Sequence, residues 1–163
     1  MLAGATKEAV CLLEFDDRPL LPTQMVRLKQ LFGRDVRPGS NPVLATLAEE
    51  IDAYFAGKLR DFTVPLDQRG TPFQESVWSL LHDIPYGQTW SYARLAERLG
   101  NPDAVRAVAR ANGDNRMAIL IPCHRVIGAD GSLTGYGGGL RRKRFLLELE
   151  QGIRTPDLFD PPD

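Results

Sequence analysis

The sequence predicts an α/β (α+β) protein: a small N-terminal lobe of antiparallel strands and helices, then a mainly helical C-terminal lobe that carries a helix-turn-helix. Three observations lead there. Two-residue alternation is confined to the first half, paired helix-start and helix-stop signals fill the second, and a segment of turn residues and charges divides them. With 163 residues, 43% of them hydrophobic, the chain can form the core of one domain or of two small lobes in contact.

From Glu8 to Asp16, Val10, Leu12 and Glu14 alternate with Cys11, Leu13 and Phe15, which predicts a strand and puts Cys11 in the core. Leu20 to Phe32 and Pro42 to Phe55 read as helices; Asn41 can cap the second, Pro42 suits its first position and Gly57 stops it. Asp61 to Leu66 reads as another strand. The run Pro65-Leu66-Asp67-Gln68-Arg69-Gly70 is a connector, so the N-terminal lobe is expected over 1–68 and the C-terminal lobe over 69–155. The acidic, Pro-rich stretch from Thr155 to Asp163 is expected to fray, leaving 156–163 as a flexible tail.

Thr71 can cap the next helix, with Pro72 in its first turn and Gln74 completing a capping box, and this helix should run to about His82. After Pro85-Tyr86-Gly87, Ser91 can cap a second helix whose Leu95, Ala96 and Leu99 share one face before Gly100 ends it. A third follows at once, with Asn101 as cap, Pro102 in the first turn and Val105, Val108 and Ala109 as its apolar stripe. Two short helices across a tight Gly-containing turn make a helix-turn-helix. Such hairpins are also common packing units that never touch DNA.

Composition narrows the function. The stretch from Met1 to Val10 has neither the apolar core of a signal peptide nor a membrane-span length, so a cytoplasmic address and no membrane are expected. Cys11 and Cys123 are expected to be reduced; with only His82 and His124 beside them there are too few donors for a metal, and no cofactor motif is present. The formal net charge of -1 excludes a protein that grips nucleic acid by sheer basicity. Locally, between Thr89 and Arg125, Arg94, Arg98, Arg106, Arg110, Arg116 and Arg125 outnumber Glu97, Asp103 and Asp114, which permits a DNA-facing surface or a solvated helix face.

The chemistry concentrates in Ile119-Leu120-Ile121-Pro122-Cys123-His124-Arg125-Val126-Ile127-Gly128. An apolar run delivers a cysteine just after a proline, which stiffens the backbone, and a histidine follows. A thiol is a poor nucleophile until deprotonated, and an imidazole can take the proton directly or through a water. On an extended backbone adjacent side chains point to opposite faces, so coupling of Cys123 to His124 requires a bridging water or a local bend. Taken alone, the dipeptide also fits a buried structural cysteine beside an ordinary surface histidine.

Pro122-Cys123-His124-Arg125-Val126 resembles the active-site signature of the O6-alkylguanine-DNA alkyltransferases, or methylated-DNA-protein-cysteine methyltransferases. Thr71-Pro72-Phe73-Gln74, Ser91-Tyr92-Ala93-Arg94-Leu95-Ala96, Arg106-Ala107-Val108, Thr134-Gly135-Tyr136 with its glycines, and Arg142-Lys143-Arg144-Phe145-Leu146-Leu147-Glu148-Leu149-Glu150 resemble further blocks of that family, in its order and spacing. The resemblance is strong from Pro65 to Gly152 and holds only in outline before it.

The resemblance implies a ribonuclease-H-like N-terminal lobe and a winged-helix-like C-terminal one. The implied activity is irreversible, single-turnover transfer of a methyl or larger alkyl group from O6-alkylguanine in double-stranded DNA, with O4-alkylthymine a further candidate, to Cys123. The damaged nucleotide would first be flipped out, since O6 of a stacked guanine cannot meet a thiolate in line with its alkyl carbon. In the implied relay Glu150 holds His124, which takes the Cys123 proton through a water. Asn115 would brace the active-site turn and Tyr136 would lie near the guanine O6. The positions matching DNA contacts are Tyr92 and the inserted Arg106, with Arg110 and Arg125 beside them. Tyr92, Pro122, Val126, Tyr136 and Gly137 would line the substrate pocket, and main-chain groups around Cys123 and Val126 would read the guanine edge. A monomer without metal or cofactor is implied.

Two departures from the family pattern bear on substrate range. Arg116 follows Asn115 where members often have Pro, adding a charge near the pocket, and Gly137 stands where Ser or Ala is frequent, removing a side chain that can touch the base. Other function classes fit less well. A non-enzymatic sensor of alkylated guanine would lack Cys123, a helix-turn-helix regulator would show signs of a symmetric dimer, and a papain-type hydrolase keeps its Cys and His far apart in sequence.

Overall fold

The computed structural model describes residues 1–153; the expected tail lies outside the described residues. Strand β1 (Leu2–Ala5) pairs antiparallel with β2 (Val10–Glu14), and helices α1 (Leu21–Phe32) and α2 (Pro42–Phe55) complete the N-terminal part. Then come α3 (Pro72–Leu81), β3 (Trp90–Ser91), α4 (Tyr92–Arg98), a 3-10 turn (Pro102–Ala104) and α5 (Val105–Gly113). A second 3-10 turn (Cys123–Arg125) leads into β4 (Val126–Ile127), which pairs parallel with β3 beside the α4–α5 hairpin, and α6 (Leu140–Glu150) closes the described chain.

The caps explain most boundaries. Asn41 Oδ1 accepts from Leu44 N at 2.9 Å, Ser91 Oγ from Arg94 N at 3.1 Å, and Thr71 with Gln74 forms a reciprocal capping box. Gly57, with φ 68°, ends α2 as expected. Asn101 does not cap. The turn through Gly100 ties Asn101 N to Ala96 O and leaves the asparagine at ψ 81°, short of the extended backbone a cap needs, so Pro102–Ala104 forms a 3-10 turn and α5 starts only at Val105.

The strand expected from Asp61 to Leu66 is also absent, and a single parallel bridge joins Val10 to Leu66. The amides of Thr63 and Val64 are instead taken by the Glu50 carboxylate, and Pro65 has no N-H to give. What remains closes around Val10: its N-H donates to Pro65 O and its carbonyl accepts from Asp67 N, both at 2.8 Å. Strand β1, which the mixed composition of Met1 to Val10 did not suggest, covers the other edge of β2.

All five residues of β2 are buried, because the strand is sandwiched between the lobes. Leu13 N donates to Arg116 O and Leu13 O accepts from Ala118 N, so β2 runs into the loop after α5. Its Val10 and Leu13 join Leu47, Trp78, Leu81, Leu95, Val108 and Ile121 in one hydrophobic cluster that spans both lobes. Cys11 is a core residue, packed with Leu12 and Leu28.

Arg116 belongs to this seam. Its Nε donates to Cys11 O at 3.0 Å, Nη2 to Asp67 O at 3.3 Å, and the guanidinium lies over the Trp78 ring. The charge expected near the pocket is therefore a buried strut between lobes, held by the Cys11 and Asp67 carbonyls. Arg116→Met, which keeps the apolar stem but leaves these carbonyls without their donor, is expected to lower the unfolding free energy by about 2 kcal/mol. Urea denaturation measures it, and a change below about 0.5 kcal/mol would put Arg116 among ordinary surface positions.

Candidate active site

Successive tight turns deliver the thiol. Ala118 N is held by β2, Ile119 takes a left-handed φ of 72°, Ile121 N returns to Met117 O at 2.9 Å and Cys123 N to Ile121 O at 2.7 Å. A β-branched residue at positive φ is strained, and is kept only because its surroundings over-determine it. Asn115 is the fastening: Oδ1 accepts from Met117 N at 2.9 Å, while Nδ2 donates to Ile121 O at 2.9 Å and reaches Cys123 Sγ at 3.0 Å. Cys123 and His124 then stand on a 3-10 turn rather than an extended strand, so the local bend replaces the opposed geometry.

His124 is enclosed. Its Nε2 lies 2.8 Å from Glu150 Oε1, and Nδ1 is buried without a protein hydrogen-bond partner. Glu150 also accepts from Tyr54 Oη at 2.8 Å, from Arg125 Nε and Nη2 at 2.8 and 2.9 Å, and from Gly87 N at 3.1 Å. Burial alone would raise this carboxyl, but the hydrogen bonds from His124 and Arg125 outweigh it and hold its pKa at about 2. An ionised Glu150 fixes the imidazole proton on Nε2 and leaves Nδ1 as an acceptor. Burial lowers the His124 pKa and keeps the ring neutral, with Glu150 opposing. Burial likewise pushes the Cys123 thiol up, opposed by the hydrogen bond from Asn115, so the resting sulfur is a thiol and needs a base at the moment of reaction.

A groove of about 450 Å³, bounded by Tyr92, Ala109, Thr134 and Tyr136 among others, lies outside a cavity of about 10 Å³ that contains Cys123 and Asn115. Tyr136 borders both, with its ring half-buried and its hydroxyl buried without a protein partner. On α6, Lys143 Nζ donates to Val126 O at 2.5 Å and Thr134 O at 2.7 Å; burial lowers its pKa to about 8.

The chain matches two family models, the ribonuclease-like domain of 6-O-methylguanine DNA methyltransferase over 11–68 and its DNA binding domain over 72–152. A methylated-DNA--protein-cysteine methyltransferase of Methanosarcina mazei is 44% identical over 153 residues, 93% of this chain and 89% of that protein. The chain belongs to the 6-O-methylguanine DNA methyltransferase family. Mycobacterium tuberculosis has a relative of the same name, 58% identical over 110 residues, 68% of this chain and 67% of its own. The crystal structure of Mycobacterium tuberculosis OGT in complex with DNA superposes with a TM-score of 0.77 at 42% identity, covering 92% of this chain and 85% of that one.

Within this methyltransferase fold, the residues singled out from the sequence fall into three places. Cys123, His124, Glu150, Asn115 and Tyr136 converge on the buried turn. Tyr92 opens α4 and lines the groove; Arg106 and Arg110 project from α5, exposed along with Arg94 and Arg98. Arg125 is not on that surface. The buried Glu150 carboxylate and Ile84 O, at 2.7 Å from Nη1, draw it inside, where it is 8% exposed.

Pro122 and Val126 are buried and do not line the groove or the cavity; Val126 packs in the core cluster and its carbonyl is taken by Lys143. Gly137 does line both spaces, yet no open volume marks its missing side chain. A Cβ there would stand 2.6 Å from Arg18 Nη2 and closer still to Cζ and Nε. Sequence reasoning missed Arg18 and its partner Glu14. The available signal was an acid on a strand of otherwise apolar residues, which demands a base, and Arg18 is four positions on.

Two groups give acid sensitivity of one sign. The folded pKa of His124 lies below the ordinary 6.5 and that of Glu150 below the ordinary 4.5, so the unfolded chain takes up each proton first as pH falls. Stability is expected to decline from about pH 6.5 and again between about pH 4.5 and 2. Glu150→Gln should flatten the lower step in urea melts taken across that range; a lower step of undiminished size would assign it to other carboxylates.

Proposed function

We propose that this chain repairs DNA by direct reversal, moving a methyl or larger alkyl group from O6 of guanine in duplex DNA onto Cys123 Sγ, once per molecule. The observation that carries this reading is the buried thiol on a turn with a neutral imidazole whose free nitrogen, Nδ1, can accept a proton. His124 takes the thiol proton, through a water, as the sulfur lone pair forms the bond to the alkyl carbon. The carbon–O6 bond breaks and its electron pair stays on the guanine oxygen. Tyr136 donates toward that oxygen, and the guanine finally holds the proton the thiol lost. Asn115 holds the sulfur in line, and O4-alkylthymine offers the same carbon–oxygen bond. The thioether formed has no good leaving group, which makes the protein a reagent.

DNA is engaged by the α4–α5 hairpin as a monomer, within the cytoplasm. Arg106 fills the gap left by the extruded nucleotide, Tyr92 turns it toward the groove, and Arg110 faces the phosphates. The chain divides into an N-terminal lobe over 1–68 and a C-terminal lobe over 69–155. Its first half shapes the site and its second half carries the reacting groups.

Incubation with O6-methylguanine DNA followed by mass spectrometry should find one methyl group, on Cys123, and none on Cys11. Cys123→Ser should stop transfer while leaving lesion DNA bound; a C123S protein that clears the lesion at a comparable rate ends the proposal. Arg106→Ala should slow repair of duplex DNA by about tenfold or more yet react nearly normally with free O6-benzylguanine. Equal losses on both substrates would place Arg106 in the support of the pocket instead.

A further inference from the structure

Arg18 is the one side chain that the N-terminal lobe places against both the groove and the thiol cavity. It follows β2 on a short turn, with Arg18 N bonded to Phe15 O, and its side chain is 6% exposed. The guanidinium pairs with the buried Glu14 carboxylate; Nη1 also donates to Asn115 O at 2.8 Å and Nη2 to Gly113 O at 2.5 Å. These bonds hold it across the loop that carries Asn115. Nε is buried and has no protein partner.

The residues common to the two spaces are Arg18, Gly113, Gly135, Tyr136 and Gly137. Three are glycines. Among the described residues, the side-chain part of the partition is therefore Arg18 and Tyr136. Gly137 leaves room for the guanidinium, since any Cβ there would collide with it. The wall that a side chain at 137 could supply comes in this chain from the other lobe.

The inner cavity, about 10 Å³, has space for roughly one water-sized group. The outer groove, about 450 Å³, falls in the range of small-ligand sites. A base in the groove would send only its O6 substituent past the partition, and a methyl group matches what lies behind it. A planar benzyl group does not, unless the guanidinium leaves its bonds to Glu14, Gly113 and Asn115.

We propose that Arg18 is a specificity-determining residue of the alkyl-transfer site: fixed by Glu14, its guanidinium walls the Cys123 cavity and favours methyl over bulky alkyl groups. The inference rests on Cys123 being the acceptor. Pinning by Glu14 is what gives the wall its selectivity, because a loose arginine would swing aside for any substituent.

The test compares single-turnover rate constants for oligonucleotides holding O6-methylguanine or O6-benzylguanine, with the adduct on Cys123 verified by mass spectrometry. In the double variant Glu14→Gln, Arg18→Ala, which removes the wall without stranding a buried carboxylate, the benzyl-to-methyl rate ratio is expected to rise by about tenfold or more. Arg18→Lys keeps the ion pair, and with it the fold, while removing the planar fork; it serves if the double variant does not fold, and its ratio should rise in the same direction. A ratio unchanged in whichever variant folds, with Cys123 still alkylated, overturns the inference and leaves Arg18 a strut between lobes. Failure of the wild-type chain to place either alkyl group on Cys123 overturns the acceptor reading, and this one falls with it.

Discussion

The carboxylate of Glu150 gathers hydrogen bonds from three separate stretches of chain: Tyr54 on α2, Gly87 in the turn before β3, and His124 and Arg125 on the turn that bears the thiol. A buried carboxylate short of donors would be costly, and this one is fully supplied. Each donor is in turn positioned by it. Arg125 spans from Glu150 to Ile84 O, Tyr86 packs edge-on to Tyr54, and a Cβ on Gly87 would come 2.9 Å from Glu150 O. The tautomer of His124 follows from the same anion, while burial keeps the ring neutral against it, so the orientation of the imidazole and the packing of α6 against both lobes share one cause.

The sulfur depends on a second, complementary fastening. Asn115 uses both ends of its amide to hold the loop from Met117 to Cys123, and Arg18 holds the main chain of Asn115 from the other lobe. The strained φ of Ile119 survives between these two supports. The first lobe is therefore more than a scaffold: its β2 edge aligns the segment leading to the thiol, and Glu14 with Arg18 borders the space in front of it.

Much of this was legible in the sequence where a local rule decides the outcome. Thr71 with Gln74, Ser91 and Asn41 cap because each needs only its own next three residues. That Cys123, His124 and Glu150 gather at one place was legible because the motif around Cys123 is dense and the ending that bears Glu150 resembles the family's in its spacing from that motif. What was not legible depends on partners far along the chain. Nothing near Arg125 or Arg116 tells a buried arginine from a solvent-facing one; their carboxylate and carbonyls come from other elements. Asp61 to Leu66 has strand composition, but Glu50 claims its amides. Asn101 has the right side chain, and the turn through Gly100 sets the wrong ψ. Gly137 read as a lost contact until the guanidinium filling its place could be seen.

The position of Glu150 also has a consequence for the chain as it is made. Cys123 leaves the ribosome's catalytic centre before the residue that fixes its base, because Glu150 lies in the last turn of α6, twenty-seven positions later. At about 5–20 residues per second, that interval is on the order of one to five seconds. During it the histidine lacks its anion and Arg125 its counter-charge, so the thiol is an ordinary one with no assembled relay. The link from Glu150 through His124 toward the thiol is therefore the last part of the site to form, and it waits on the docking of the final helix.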